Sequence, residues 1–253
     1  MQQRIVGIMG AMPEEINAIT TILENQQERS IGMRKYLSGT IQGVPTIVVF
    51  SRWGKVAAAT TVATLIHEFG VTAIIFTGVA GAIHHELNIG DIVLANQLVQ
   101  HDMDASPLMP KFEIPLLQKT FFEVHEQQLQ LATKAIQHFL EVNQLQSAVH
   151  EADLKEFKIK QPKLVVGTIA SGDQFFSSSP AKEALLKALP SVQCVEMEGA
   201  AVAQVCYEYQ IPFTIIRIIS DAADEHSVID FPAFINKVAS KYSLGIIKQL
   251  YNM

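Results

Sequence analysis

Two cysteines, Cys194 and Cys206, and a single tryptophan, Trp53, are all that this 253-residue chain carries of those residue types. Both cysteines lie in apolar segments, without a C-x-x-C pair or metal-ligand spacing. They read as buried reduced thiols and exclude a disulfide scaffold. No uninterrupted apolar stretch approaches the roughly 20 residues of a membrane span. The apolar run before Glu14 and Glu15 is short and fits a first strand, not a secretory signal, so the cytoplasm is the expected compartment and no membrane is expected as a partner. Basic charge is scarce as well. A net charge of −6 and a pI near 5.7 leave no basic face for a phosphate backbone, which argues against a nucleic-acid polymer as partner. Repeats and low-complexity segments are absent. Gly54-Lys55 has Val49 and Val56 where a Walker loop needs Gly and Ser or Thr, and Gly7 with Gly10 does not complete G-x-G-x-x-G. His84, His85 and Glu86 lack the second histidine of H-E-x-x-H and read as exposed loop, so neither metal nor cofactor is expected.

What the chain does hold is apolar mass, 49% hydrophobic against 17% charged residues. That is enough to bury a sizeable interior in one domain spanning 1–253. Residues 4–10 read as a buried strand, after which Pro13 suits the first position of a helix striped by Ile16, Ile19 and Leu23. Alternation through 35–41 and 44–50, with Gly43 between, predicts a hairpin. A helix over 55–69 precedes a short buried strand over 72–76. That strand ends in Thr77-Gly78-Val79-Ala80-Gly81, small residues that let a ligand approach the backbone closely. A strand over 91–99 leads into 101–117, a stretch rich in proline and without period that marks a structured loop; such loops tend to be functional or to meet a partner. Helical spacing covers 126–142, whereas 143–161 has no legible period. A strand over 164–170 ends in Ser171-Gly172-Asp173-Gln174. The next residues, Phe175 and Phe176, suit a core and also the flat face of a base. Pro180 starts a helix to 189, and an amphipathic helix covers 231–251. Strands alternating with helices predict an α/β fold with a mixed, largely parallel sheet.

The rest of the chain is organised around 194–224, CVEMEGAAVAQVCYEYQIPFTIIRIISDAAD. Residues 192–195 end a strand, 199–209 place Val202, Val205, Cys206 and Tyr209 on one helix face, and Pro212 stops that helix. The run 214–219 is nearly all β-branched and suits a strand buried on both faces. Ser220 and Asp221 then fall just past its carboxyl end, the edge where open α/β sheets bind ligands. Singly, Glu196 or Glu198 is at home in a helix's first turn and Asp221 as a loop cap. Glu14 and Glu15 likewise complement the backbone of a helix whose N-cap, Met12, has no acceptor oxygen. Joint placement separates the readings: a helix between two parallel strands would turn Glu198 and Asp221 toward one crevice.

VEMEGAAVA followed by RIISDAAD closely resembles the nucleoside phosphorylase and hydrolase superfamily, in particular its 5′-methylthioadenosine/S-adenosylhomocysteine nucleosidases. The resemblance extends to GIMGAMPEEI, WGKVAAA, TGVAGA with GDIVLA, and SGDQF, in one order over most of the chain. It implies a three-layer αβα domain that takes a small nucleoside, hydrolyses its N-glycosidic bond to release adenine and the 5′-thioribose, and works as a homodimer without a cofactor. It assigns Asp221, held by Ser220, to protonate the departing adenine and Glu15 to activate water. Glu198 would hold ribose hydroxyls beside Met197 and the neighbouring Glu196. Phe175 and Phe231 would pack on the purine or sugar, Phe176 would meet the base edge through its backbone, and Ala80 and Gly81 would line the ribose side. Trp53 and Val79 stand where these nucleosidases often carry a small or aliphatic residue and a serine. The 101–117 segment, which in the family reaches across a dimer contact toward the 5′-substituent, also departs from its commonest form, so a changed 5′ preference is consistent with the sequence. The alternatives within reach are hydrolysis of 5′-deoxyadenosine or aminodeoxyfutalosine, a purine nucleoside phosphorylase, and a nucleoside-binding protein without turnover. Arg52 and Arg217 keep the phosphorylase open, while Glu14 and Glu15 stand where its phosphate loop would be basic.

Overall fold

The computed structural model describes residues 3–223 and 231–253. In chain order they form β1 (Val6–Gly10), α1 (Pro13–Thr20), β2 (Glu24–Ile31), β3 (Arg34–Ile41), β4 (Val44–Phe50), α2 (Lys55–Phe69), β5 (Ala73–Ala82) and β6 (Ile92–Gln100). There follow β7 (Phe122–Glu123), α3 (Glu126–Phe139), α4 (Val142–Ala148), α5 (Glu151–Glu156), β8 (Leu164–Ser171), α6 (Ser179–Ala188), β9 (Val192–Glu196), α7 (Gly199–Glu208) and β10 (Phe213–Asp221). The chain ends in α8 (Phe231–Phe234), one π-helical turn (Ile235–Ala239) and α9 (Ser240–Tyr251).

One mixed sheet runs β10-β6-β8-β9-β5-β1-β4-β3-β2, and β10 also pairs with β5. The strands β10, β6, β8, β9 and β5 therefore close on themselves, while β1, β4, β3 and β2 extend as an open wing. Alternation decides the layers. On β5, Ile74 and Phe76 face a core shared with Val62, Leu65, Val202 and Cys206 of α2 and α7. Ile75 faces the opposite core, with Ile16 and Ile19 of α1 and Ile247 of α9. Helices on both faces give the three-layer αβα arrangement.

Several boundaries move from the sequence-based expectation. The small-residue run 77–81 continues β5 instead of forming a turn, because it pairs with β10 as far as Gly81. Ser220 and Asp221 are likewise the last two residues of β10, not past its end. The strands flanking α7 are not parallel. β10 runs parallel to β5, whereas β9 meets β5 antiparallel and only at Gly81↔Val195 and Ala82↔Cys194. The carboxyl ends of β9 and β5 thus meet head-on, which still gathers Glu198 and Asp221. β2, a polar strand with no apolar alternation, was not expected; the helix expected over 126–142 ends at Phe139, and Val142 instead opens α4, which runs into the illegible 143–161 stretch ahead of α5. The last residue of the RIISDAAD motif, Asp224, lies outside the described residues.

Candidate active site

The carboxyl ends of β1, β5, β9 and β10 surround a cavity of ≈ 490 Å³. Every site residue expected from the sequence lines it: Glu15, Ala80, Gly81, Phe175, Phe176, Glu196, Met197, Glu198, Ser220, Asp221 and Phe231. Ala11, Met12, Gln174 and Val195 join them, together with the two departures, Trp53 and Val79.

Glu15 arrives through the first turn of α1. Pro13 starts that helix, and because Met12 has no capping oxygen, Glu15 reaches back: its Oε2 accepts the Ala11 N–H at 2.6 Å and the Met12 N–H at 3.1 Å. Its Oε1 accepts the Val79 N–H of β5 at 3.1 Å. Gly78 leaves room for this, since a Cβ there would lie 2.6 Å from Glu15 Oε1. Burial pushes the Glu15 carboxyl above its ordinary value, opposed by the Arg217 charge and by the three backbone donors. A carboxylate of raised proton affinity is a better acceptor for a water proton.

Glu196 and Glu198 behave differently although one residue separates them. Both Glu196 oxygens are engaged within the protein. Oε2 takes the buried Arg217 guanidinium at 2.6 and 3.2 Å, Oε1 accepts the Ser171 hydroxyl, and both accept the Gly199 N–H that opens α7. Arg217 in turn lies over the Phe76 ring, 4.1 Å from its centroid. Glu198 has one such tie, its Oε1 accepting the Gly54 N–H at 2.8 Å. Burial, and then the neighbouring Glu196 charge, push its pKa up to about 8. Its affinity for a proton is therefore higher than that of an ordinary glutamate, and in either state the carboxyl can bond a hydroxyl.

Asp221 reaches the same cavity from the last residue of β10. Ser220 Oγ donates to its Oδ2 at 2.7 Å and the Ala223 N–H to its Oδ1 at 2.8 Å. Gly81 closes against it, since a Cβ there would stand 3.0 Å from Oδ1. The supporting roles of Arg217 and Ser171 were not expected from the sequence. A signal for Arg217 was present: an arginine inside FTIIRIISD, a strand buried along its whole length, demands a buried anion. Among the described residues no Lys, Arg or His lines the main cavity.

Sheet and cavity together define an α/β protein that takes a small ligand where strand ends converge under fixed carboxyl groups. The sequence model of the phosphorylase superfamily matches residues 5–250. A 5′-methylthioadenosine/S-adenosylhomocysteine nucleosidase from Staphylococcus aureus (strain bovine RF122 / ET3-1) is 32% identical over 236 residues, covering 93% of this chain and 94% of that one. The chain belongs to the phosphorylase superfamily and, within it, to the 5′-methylthioadenosine/S-adenosylhomocysteine nucleosidases. Among solved structures it is similar to the nucleosidase of Neisseria meningitidis bound to methylthio-immucillin-A, at 30% identity and TM-score 0.85, covering 98% of each chain. It is also similar to a futalosine hydrolase of Helicobacter pylori, at 35% identity and TM-score 0.82, covering 98% of this chain and 97% of that one.

Proposed function

We propose that the protein hydrolyses the N-glycosidic bond of 5′-methylthioadenosine and S-adenosylhomocysteine, releasing adenine and the 5′-thioribose. The observation that carries this reading is the convergence of three buried carboxyl groups, from α1, the β9–α7 corner and β10, on one cavity. Cleavage builds positive charge on the sugar and negative charge on the base, so the two ends of the cavity need different chemistry. At one end Asp221, fixed by Ser220 and Ala223, gives its proton to the imidazole ring of adenine. At the other Glu15 takes a proton from water as its oxygen attacks the anomeric carbon, and Glu198 holds the ribose hydroxyls beside Met197. Phe175, Phe176 and Phe231 supply the apolar walls of the base and sugar, with Ala80 and Gly81 beneath.

Proton transfer contributes about 10²–10⁴-fold, roughly 3–5 kcal/mol, whereas enzymes commonly supply about 8 kcal/mol or more. The balance falls to the carboxyl groups arranged before the reaction around an oxocarbenium-like sugar, and to orientation of the water.

Hydrolysis is favoured over phosphorolysis because the described lining of the main cavity offers no cation to capture phosphate, Arg217 being engaged by Glu196 behind it. A second reading, hydrolysis of another 5′-modified nucleoside such as aminodeoxyfutalosine or 5′-deoxyadenosine, is favoured by one observation. Trp53 lines both the main cavity and a neighbouring opening bounded by Met12, Phe50 and Arg52, so a larger 5′-substituent has somewhere to go. The test is adenine release from methylthioadenosine, adenosylhomocysteine, 5′-deoxyadenosine and aminodeoxyfutalosine, side by side without phosphate. The thio-nucleosides should lead; dependence on phosphate with release of a ribose 1-phosphate would overturn the hydrolase. The same reading places the protein in the cytoplasm, in methionine salvage, as a homodimer. The exposed Leu108 and Leu116 of the 101–117 loop support the dimer, and a single monomeric species by light scattering at micromolar concentration would refute it.

A further inference from the structure

Three loops that follow strand ends are tied to one another beside the cavity, by residues that do not line it. The Lys55 N–H, at the start of α2, donates to Asp173 Oδ1 at 2.8 Å. The Asp173 N–H, after β8, donates to Asp102 Oδ2 at 2.9 Å. Asp102, after β6, closes the ring by accepting Lys55 Nζ on Oδ1 at 2.5 Å, and Gln100 Oε1 takes the same ammonium at 3.2 Å. Burial alone would raise the Asp102 carboxyl, yet the Lys55 bond and the Asp173 N–H hold it below its ordinary value.

This ring has two outputs into the cavity. The residue before Lys55 is Gly54, whose N–H holds Glu198; its φ of 92° excludes most side chains, and a Cβ would meet Asp173 Oδ1 at 3.0 Å. The residues after Asp173 are Gln174, Phe175 and Phe176, all on the cavity wall. A shift of Asp102 therefore moves both the donor that fixes Glu198 and the aromatic wall.

Resting on the hydrolase reading above, we propose that Asp102 is a positioning residue of this active site. With Lys55 and Asp173 it forms a clasp that sets the Gly54 N–H and hence the grip of Glu198 on the ribose hydroxyls.

The test uses Asp102→Ala and Lys55→Met, with Lys55→Arg as the conservative partner. KM and kcat are measured on methylthioadenosine and on its 2′,3′-dideoxy analogue, which has no hydroxyls for Glu198 to hold. KM for methylthioadenosine should rise about tenfold in the first two variants, the scale of one hydrogen bond lost from a buried polar group. With the dideoxy analogue the change should shrink to less than about twofold, because the contact being disturbed is absent. Lys55→Arg should restore most of the difference. Equal losses on both substrates, tracking a fall in thermal midpoint, would mean a merely structural cluster and would overturn the proposal. A second readout does not depend on turnover. The chain's only tryptophan, Trp53, adjoins Gly54, so acrylamide quenching of its emission reports the loop directly. Quenching should increase in both variants and return toward wild type in Lys55→Arg; no change in either folded variant refutes the clasp. Should the wild type release no adenine from any nucleoside, the functional reading fails, and the quenching result alone decides the clasp.

Discussion

In the wall of the cavity Glu196 is backed by Arg217, Ser171 and the first N–H of α7, a lower layer that the protein itself completes; its neighbours in the same wall, Glu15, Glu198 and Asp221, form an upper layer and hold one to three fixed donors each among the described residues. Both layers are buried and both are acidic, so composition does not tell them apart. Valence does. The lower carboxylate has a cation and donors on both oxygens, which suits a support. Each upper one keeps capacity facing the cavity, at the cost of a proton affinity that burial has disturbed in Glu15 and Glu198. An acid's role thus follows from how many of its partners the protein itself provides.

The largest effect expected from breaking this division lies in the upper layer. Asp221→Asn retains an acceptor for Ser220 or Ala223 but has no proton to give to the base. Adenine release should fall by about 10²–10⁴-fold, while methylthioadenosine still raises the thermal midpoint. Unchanged turnover would remove Asp221 from the acid role.

The corresponding break in the lower layer should appear as stability. Arg217→Met leaves Glu196 buried without its cation, a loss of about 3–5 kcal/mol in denaturant unfolding. Adding Glu196→Gln removes the orphaned charge and should recover most of that loss. If the double variant is no more stable than Arg217→Met alone, the two residues are not a coupled support.

Glu198 sharpens the comparison through pH. Its folded pKa, about 8, lies above the ordinary glutamate value of 4.5, so the folded state keeps a proton that the unfolded chain gives up. Stability from this source is complete below that ordinary value and is lost as pH rises toward and through the folded one, by about 1.4 kcal/mol for each pH unit that separates the two values. Glu198→Gln should flatten the decline of the thermal midpoint across that interval and raise KM about tenfold through a weaker ribose contact. A midpoint curve identical to wild type would contradict the raised affinity.

Much of this was legible in the chain because the site is built from local signals. Pro13 fixed the start of α1 and so the placement of Glu15; the β-branched run of β10 located Ser220 and Asp221 at the sheet edge. What the sequence did not show were features set by partners far along the chain. Nothing local tells Glu196 from Glu198; the difference comes from Arg217, some twenty residues on, and from the Gly54 N–H on another element. The antiparallel meeting of β9 with β5 is equally remote, since α7 could have served a parallel crossover. β2 escaped because seven of its eight residues are exposed, leaving no apolar alternation to read. The run 77–81 looked like a turn because its small residues have low strand propensity, and pairing with β10 overrode it.

The smallest expected effect belongs to the residue of the lining that stands farthest from either charge layer in character. Trp53 is 64% exposed at the lip, is shared with the neighbouring opening, and holds no carboxyl group of the described residues by a hydrogen bond. Trp53→Ile should therefore leave the proton transfer at Asp221 and the stability owed to Arg217 untouched. Its effect should be on which 5′-substituents are accepted, since an indole face offers about 0.5–1.5 kcal/mol beyond burial to an aromatic or planar group and little of that to a methylthio group. The ratio of kcat/KM for a 5′-arylthioadenosine to that for methylthioadenosine should fall about threefold to tenfold, with kcat for methylthioadenosine within about twofold of wild type. A large fall in kcat for both substrates would place Trp53 among the groups that organise the reaction and would erase the boundary between lip and lining.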